Sequence, residues 1–170
     1  PFSAFCNNED GSCSDNCIDV DGTNDFMHRN NLSTMGDFSL SAWFNAGTVG
    51  NGGAEDRIIS FGPNTRFEVG IDETTGQFWV YDSQQGSSIG LPFGNNLRDG
   101  LWHQMVISRL GNSTTVYIDG VSIGNFTSTS TPSYGPNFRV ANWPGGGTTA
   151  FFAGSIDDVS IWNYAITPTD

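Results

Sequence analysis

Apolar residues along this chain recur with a period of two rather than 3.6. Phe38, Leu40, Ala42 and Phe44 alternate with Ser39, Ser41 and Trp43, and Phe67, Val69 and Ile71 share one parity. After a turn at Thr74-Thr-Gly76, Phe78 and Val80 alternate with Trp79 and Tyr81. His103, Met105 and Ile107 share one face of a strand that begins at Leu101. Such alternation predicts β-strands, because successive side chains leave a strand on opposite faces. No i, i+3, i+4, i+7 pattern lasts three turns, so helices are not expected. Val116 and Ile118 lead through Asp119-Gly120 into Val121 and Ile123, the two-residue signal of a hairpin. Clusters of Gly, Asn, Ser, Thr and Pro separate the runs at 45–56, 83–96, 127–137 and 142–149. About ten to thirteen short strands spaced in this way predict a single all-β domain, a two-sheet antiparallel sandwich.

The closing run carries a break in phase. Phe152 and Ile156 share a parity that Val159 and Ile161 do not, so a β-bulge is expected at Asp157-Asp158. Two carboxylates beside a kink in a buried strand suggest a bound cation.

Composition narrows the partners. Thirteen Phe, five Trp and four Tyr are too many for a solvated chain. Eighteen acidic residues against six arginines and no lysine give a net charge of −12, which repels nucleic acid and anionic membrane surfaces. The longest apolar run, Met105-Val-Ile107, is far too short to span a bilayer. The chain opens at Pro1 without an apolar leader, as expected of a processed chain. Cys6, Cys13 and Cys17 crowd the start, and neither His28 nor His103 completes a zinc site with them. A disulfide-clipped loop, with one cysteine left over, is the better reading. Sequons at Asn31, Asn112 and Asn125 fit glycosylation, and together with the cysteines they point to an extracellular, secreted or cell-surface protein.

Five segments then resemble one family. Asp19-Val-Asp-Gly-Thr-Asn-Asp-Phe-Met27 is similar to the opening strand of laminin G-like and pentraxin-like jelly-roll domains of the concanavalin A-like lectin/glucanase superfamily. Phe38-Ser-Leu-Ser-Ala-Trp-Phe44, Leu101-Trp-His-Gln-Met-Val-Ile107 and Val116-Tyr-Ile-Asp-Gly120 are similar to three inner strands. The run from Phe152 to Ile166 resembles the closing "FxGxIDDVRIYNRAL" strand. The match divides the chain into a cysteine-bearing extension, 1–16, and a jelly-roll domain, 17–170. The resemblance implies a mostly non-catalytic extracellular module that binds sugars or proteins, frequently with calcium. It also implies that the opening turn and the closing strand lie side by side. Asp157 would then be a main ligand of a structural calcium ion, with Asp21, Asn24 and Asp25 as partners. Hard oxygen donors on a glycine-containing turn suit that ion. The plainer reading is that these aspartates end strands and turns.

Sugar-binding side chains are sought on loops, where a planar ring can stack on a pyranose while amides bond its hydroxyls. Trp143 and Asn142 lead, followed by Phe93 and Tyr134. Trp143 could equally cap an open end of the sandwich. Trp43, Trp79, Trp102 and Trp162 lie on strands and are expected in the core. Arg57, Arg66, Arg98, Arg109 and Arg139 are read as counterions over an acidic surface, and His103 as a hydrogen-bonded core histidine. Catalysis is not expected. Glycoside hydrolysis needs two carboxyl groups roughly 5–10 Å apart, and the nearest sequence pair, Glu68 and Asp72, stands near 13 Å at about 3.3 Å per residue. Two functions follow. The first is a lectin-like module recognising a glycan or extracellular glycoprotein. The alternative is a structural subunit of an extracellular filament, matrix or adhesin, self-assembling through the N-terminal extension.

Overall fold

The computed structural model describes residues 17–32, 36–48, 55–83, 87–89, 96–129, 134–143, 145 and 150–167. Among these, the alternating runs form twelve strands: β1 (Ile18–Asp21), β2 (Met27–Arg29), β3 (Phe38–Ala46), β4 (Glu55–Gly62), β5 (Phe67–Asp72), β6 (Phe78–Asp82), β7 (Ser87–Ile89), β8 (His103–Leu110), β9 (Ser113–Ile118), β10 (Val121–Thr127), β11 (Asn137–Val140) and β12 (Ala153–Trp162). No helix occurs among the described residues. All ladders are antiparallel, in two six-stranded sheets ordered β1-β12-β3-β8-β9-β10 and β2-β11-β4-β5-β6-β7. The protein is an all-β two-sheet antiparallel sandwich, as its periodicity predicts, and a jelly roll, as the resemblance implies.

The core follows the parity of the sequence. Phe38, Leu40, Ala42 and Phe44 of β3 face Ile59, Phe61, Phe67, Val69, Ile71, Phe78 and Val80 of the other sheet, all essentially inaccessible. Burying one such phenylalanine contributes about 1.5–3 kcal/mol. The β9–β10 hairpin turns on Asp119 and Gly120, whose φ values of 52° and 76° are those of a tight primed turn. In β12 the register to β3 shifts between Asp157 and Ser160, and Asp158 takes a φ of 48°. The phase break in the sequence is therefore a bulge.

Several expectations fail here, each for a physical reason. Arg109 and Arg98 are not surface counterions. Arg109 continues the inward parity of Met105 and Ile107 and is wholly buried, donating to Asp82 across the sandwich at 2.8 Å. Arg98 is buried against Asp56 and also donates to the Gly47 carbonyl. Trp43 and Trp102 are exposed rather than core, at 37% and 42%, because Trp43 is the outward residue between Ala42 and Phe44 and Trp102 precedes β8. Tyr134 is a core residue, not a ligand contact. It is 2% exposed and packs edge-on to Phe38 at 5.7 Å and against Phe67 at 5.3 Å. His103 lies at the end of β8, its Nδ1 2.7 Å from Asp119 and its Nε2 3.1 Å from Asp99.

A candidate binding site on the outer face of the second sheet

The inward parity of the second sheet leaves a second set of side chains on its outer face. Register places His28, Arg139, Ser60, Glu68 and Tyr81 in one row across β2, β11, β4, β5 and β6. Arg57, Gly70 and Trp79 form the adjacent row. Four interstrand gaps of about 4.8 Å make the first row roughly 19 Å long.

The segment after β11 rises over these rows. Ser60 Oγ donates to the Asn142 carbonyl, Arg139 Nη1 donates to the Trp143 carbonyl at 3.0 Å, and Arg57 bridges to Phe151. Trp143 is thereby brought beside two guanidinium groups, Arg66 at 5.4 Å and Arg57 at 5.8 Å from its ring centroid. Arg57 also lies 5.4 Å from the Trp79 ring, Arg66 lies 4.4 Å from Tyr81, and Arg139 lies 4.7 Å from the exposed Phe26. Such placements are attractive because the ring face is the negative side of the aromatic quadrupole. A Cβ on Gly70 would sit 1.9 Å from the Asp56 carbonyl oxygen and 2.9 Å from Trp79 Cζ2, so only glycine admits this row.

Two carboxylates complete the cluster. Buried Glu68 accepts from Arg57 Nε at 2.6 Å and from Arg66 Nη1 at 3.1 Å, and Glu55 accepts from Arg57 Nη2 at 3.0 Å. Glu55 and Glu68 thus share one guanidinium, a closeness hidden in the sequence because they stand on different strands. Both oxygens of Glu68 are thus taken by guanidinium N–H groups. The strip offers aromatic faces and N–H donors, which suit binding to sugar hydroxyls and rings.

The other sequence candidates are dispersed. Trp143 belongs to the strip and is half-buried. Asn142 is 2% exposed, with its side-chain oxygen taken by the Trp143 backbone N–H, so it does not face a ligand. Phe93 lies outside the described residues, as do Cys6 and Cys13. Cys17 is buried and disulfide-bonded. Asn31 and Asn125 are exposed and Asn112 is half-buried.

The four expected calcium ligands do not converge. Register sets Asp21 opposite Ala153 and Ile18 opposite Ile156, so Asp157 lies at the far end of β1 from Asp21. That separation is about 13 Å at roughly 3.3 Å per residue. On the turn, Asp21 Oδ1 accepts from the Thr23 N–H and Asp25 Oδ2 from the Asp21 N–H, while Asp157 Oδ1 accepts from the Asp158 N–H. Among the described residues no three His, Cys, Asp or Glu side chains are grouped to hold a metal ion.

Comparison with known proteins agrees with the fold. No curated protein sequence matches the chain. The domain is similar to the carbohydrate-binding module CBM40 of the Ruminococcus gnavus IT-sialidase bound to alpha2,3 sialyllactose, with 10% identity, TM-score 0.66, and 90% of this chain and 92% of that one covered. It is also similar to a heptameric SAP-like pentraxin from Limulus polyphemus, with 16% identity, TM-score 0.60, and 89% and 77% covered. The LG1-3 region of the laminin alpha2 chain superposes with 17% identity and TM-score 0.61 over 82% of this chain, which spans only 25% of that one. At these identities the likeness concerns the fold alone. A laminin G family model, Laminin_G_3, described as Concanavalin A-like lectin/glucanases superfamily, matches residues 21–170, and the chain belongs to that family.

Proposed function

We propose that this domain is a non-catalytic carbohydrate-binding module whose glycan lies along the arginine–aromatic strip of the second sheet. The observation that carries the reading is the convergence of Arg57, Arg66 and Arg139 on Trp143, beside Trp79 and Tyr81. Sugars present apolar ring faces and hydroxyl edges, and this strip supplies aromatic rings and fixed donors in two adjacent rows and the segment above them. Structural relatives that bear glycan-binding names support it. Binding is favoured over hydrolysis because Glu68, the buried carboxylate of the strip, is held between two guanidinium groups.

A glycan array on the isolated domain tests the reading. Binding lost in Trp143→Ala, with the melting temperature retained, would support it, and silence across neutral and acidic glycans would overturn it. Release of reducing sugar from a bound glycan, abolished by Glu68→Gln, would replace binding with hydrolysis.

An extracellular setting with glycans at Asn31, Asn112 or Asn125 belongs to the same proposal. Mass spectrometry of protein made in a eukaryotic secretory host tests it. Calcium is a separate proposal resting on Asp21, Asn24 and Asp25 without Asp157. A melting temperature lowered by EGTA, but not in Asp21→Asn, would support it, and an unchanged melting temperature would remove it.

A further inference from the structure

We infer that the strip selects a glycan bearing an isolated carboxylate, and that Arg139 receives the acid group. The inference rests on the glycan-binding reading above and names the class of sugar.

Cationic groups are scarce in this chain, with six arginines and no lysine against eighteen acids, yet three of the six surround Trp143. Arg57 and Arg66 have carboxylate partners in Glu55 and Glu68. Arg139 has none. Its contacts are the Trp143 carbonyl, at 3.0 Å from Nη1, and the face of Phe26, at 4.7 Å. A half-buried guanidinium without a counterion has lost part of its hydration with no opposite charge in return. Its planar fork fits a carboxylate through two parallel N–H bonds, whereas a neutral hydroxyl leaves the charge unmatched.

A second observation concerns indoles rather than guanidinium groups. Trp79 Nε1 and Trp143 Nε1 are buried N–H donors without an acceptor among the described residues, and Trp79 itself is 6% exposed. Buried donors of this kind are rare in native proteins, since leaving one unmade costs its desolvation. Both rings are within 6 Å of the Arg57 guanidinium, so the unspent donors gather in one place. An ionised carboxylate only accepts hydrogen bonds, so it is the sugar substituent that complements the Arg139 guanidinium and these indole donors. The net charge of −12 at the same time opposes a densely charged polymer, which leaves a single acid group on an otherwise neutral saccharide.

The test is isothermal titration of the domain with 3′-sialyllactose, a glucuronic acid-terminated oligosaccharide, their neutral parents and heparin. The inference expects one acidic saccharide to bind at least tenfold tighter than its neutral parent, and which of the two does so separates sialic from uronic acid. Methyl esterification or 0.5 M salt should reduce that preference. In Arg139→Gln the ratio of acidic to neutral affinity should fall to about one while the melting temperature persists. Neutral glycans bound as tightly as acidic ones, with both lost in Trp143→Ala, would overturn the carboxylate inference and leave the glycan-binding reading intact. Absence of binding to every saccharide would overturn both. Heparin bound more tightly than either short acid would also overturn the isolated-carboxylate inference.

Discussion

Arg109 of β8 reaches through the interior to Asp82 of β6, Nη1 to Oδ2, at 2.8 Å, with both side chains fully buried. The two residues belong to different sheets, so one ion pair joins the layers of the sandwich. Thr114 and Ser128 add hydrogen bonds, and the guanidinium lies 5.5 Å from the Tyr134 ring. Removing one partner leaves a buried charge uncompensated, at a cost of about 3–5 kcal/mol. Arg109→Met and Asp82→Asn are each expected to lower unfolding free energy in urea by roughly that amount. The double variant should lose much less than the sum of the singles, and strict additivity would contradict the coupling.

Stability should peak on the acid side of neutrality. Burial lowers the affinity of His103 for a proton, but hydrogen bonds to Asp119 and Asp99 outweigh it and raise its pKa above 6.5. This contribution is complete below the unfolded value and fades as pH rises through the folded one. Burial likewise pushes Asp56 up to about 6 despite Arg98, and Glu73 adds to the rise. Between 3.8 and about 6 the folded chain therefore holds a proton that the unfolded chain has lost, so stability falls as pH climbs. Asp72 and Asp99 are held below 3.8, chiefly by the backbone N–H groups of Thr75 and Leu101. Their contribution is present above that value and lost as pH falls through their lowered pKa values. Calorimetry from pH 3 to 8 should show a melting temperature that peaks at about pH 4 and declines toward pH 8. His103→Asn should flatten the decline above pH 6, and a melting temperature rising from pH 6 to 8 would be the contrary result.

Gly70 sits where two backbones and an indole meet. A methyl group there would overlap the Asp56 carbonyl and press on Trp79. Gly70→Ala is expected to cost about 1–3 kcal/mol through overpacking. It should also shift the tryptophan emission of the folded protein, because Trp79 must move. Unchanged emission and stability would show that the row can relax.

The bulge in β12 makes a smaller claim. Asp158 holds a φ of 48°, a region that β-branched residues avoid. Asp158→Gly should keep stability within about 0.5 kcal/mol, whereas Asp158→Val should lose more than 1 kcal/mol. Equal stability of the two variants in denaturant would speak against backbone conformation as the constraint.

What the sequence reveals and conceals follows from the range of each interaction. Strand parity is local, so Phe38 to Phe44, the Asp119-Gly120 hairpin and the shift at Asp157-Asp158 are all legible in the chain. Parity also marks Arg109 and Asp82 as inward, because they continue the Met105-Ile107 and Phe78-Val80 faces. Reading them by residue type alone sends the arginine to the surface. The strip is hidden for another reason. Arg57, Gly70 and Trp79 meet only through the β4-β5-β6 register, and Trp143 joins them only because the segment after β11 folds back. Trp143 is recoverable from its loop position, whereas Tyr134, on another loop, turns inward into a phenylalanine cluster. The separation of Asp157 from Asp21 likewise depends on the β1–β12 register, which no motif in either segment encodes.

Two exposed tryptophans offer the sharpest control on where a glycan sits. Trp43 and Trp102 lie outside the strip, Trp43 on the first sheet, and both present more ring to solvent than Trp143. The most direct measurement is therefore a glycan array run in parallel on the wild type, Trp143→Ala, Trp43→Ala and Trp102→Ala, each verified by its melting temperature. Glycan binding that disappears in Trp143→Ala and survives in the other two is the expected result. Binding that survives in Trp143→Ala and disappears with Trp43 or Trp102 would contradict it, placing the glycan away from the strip.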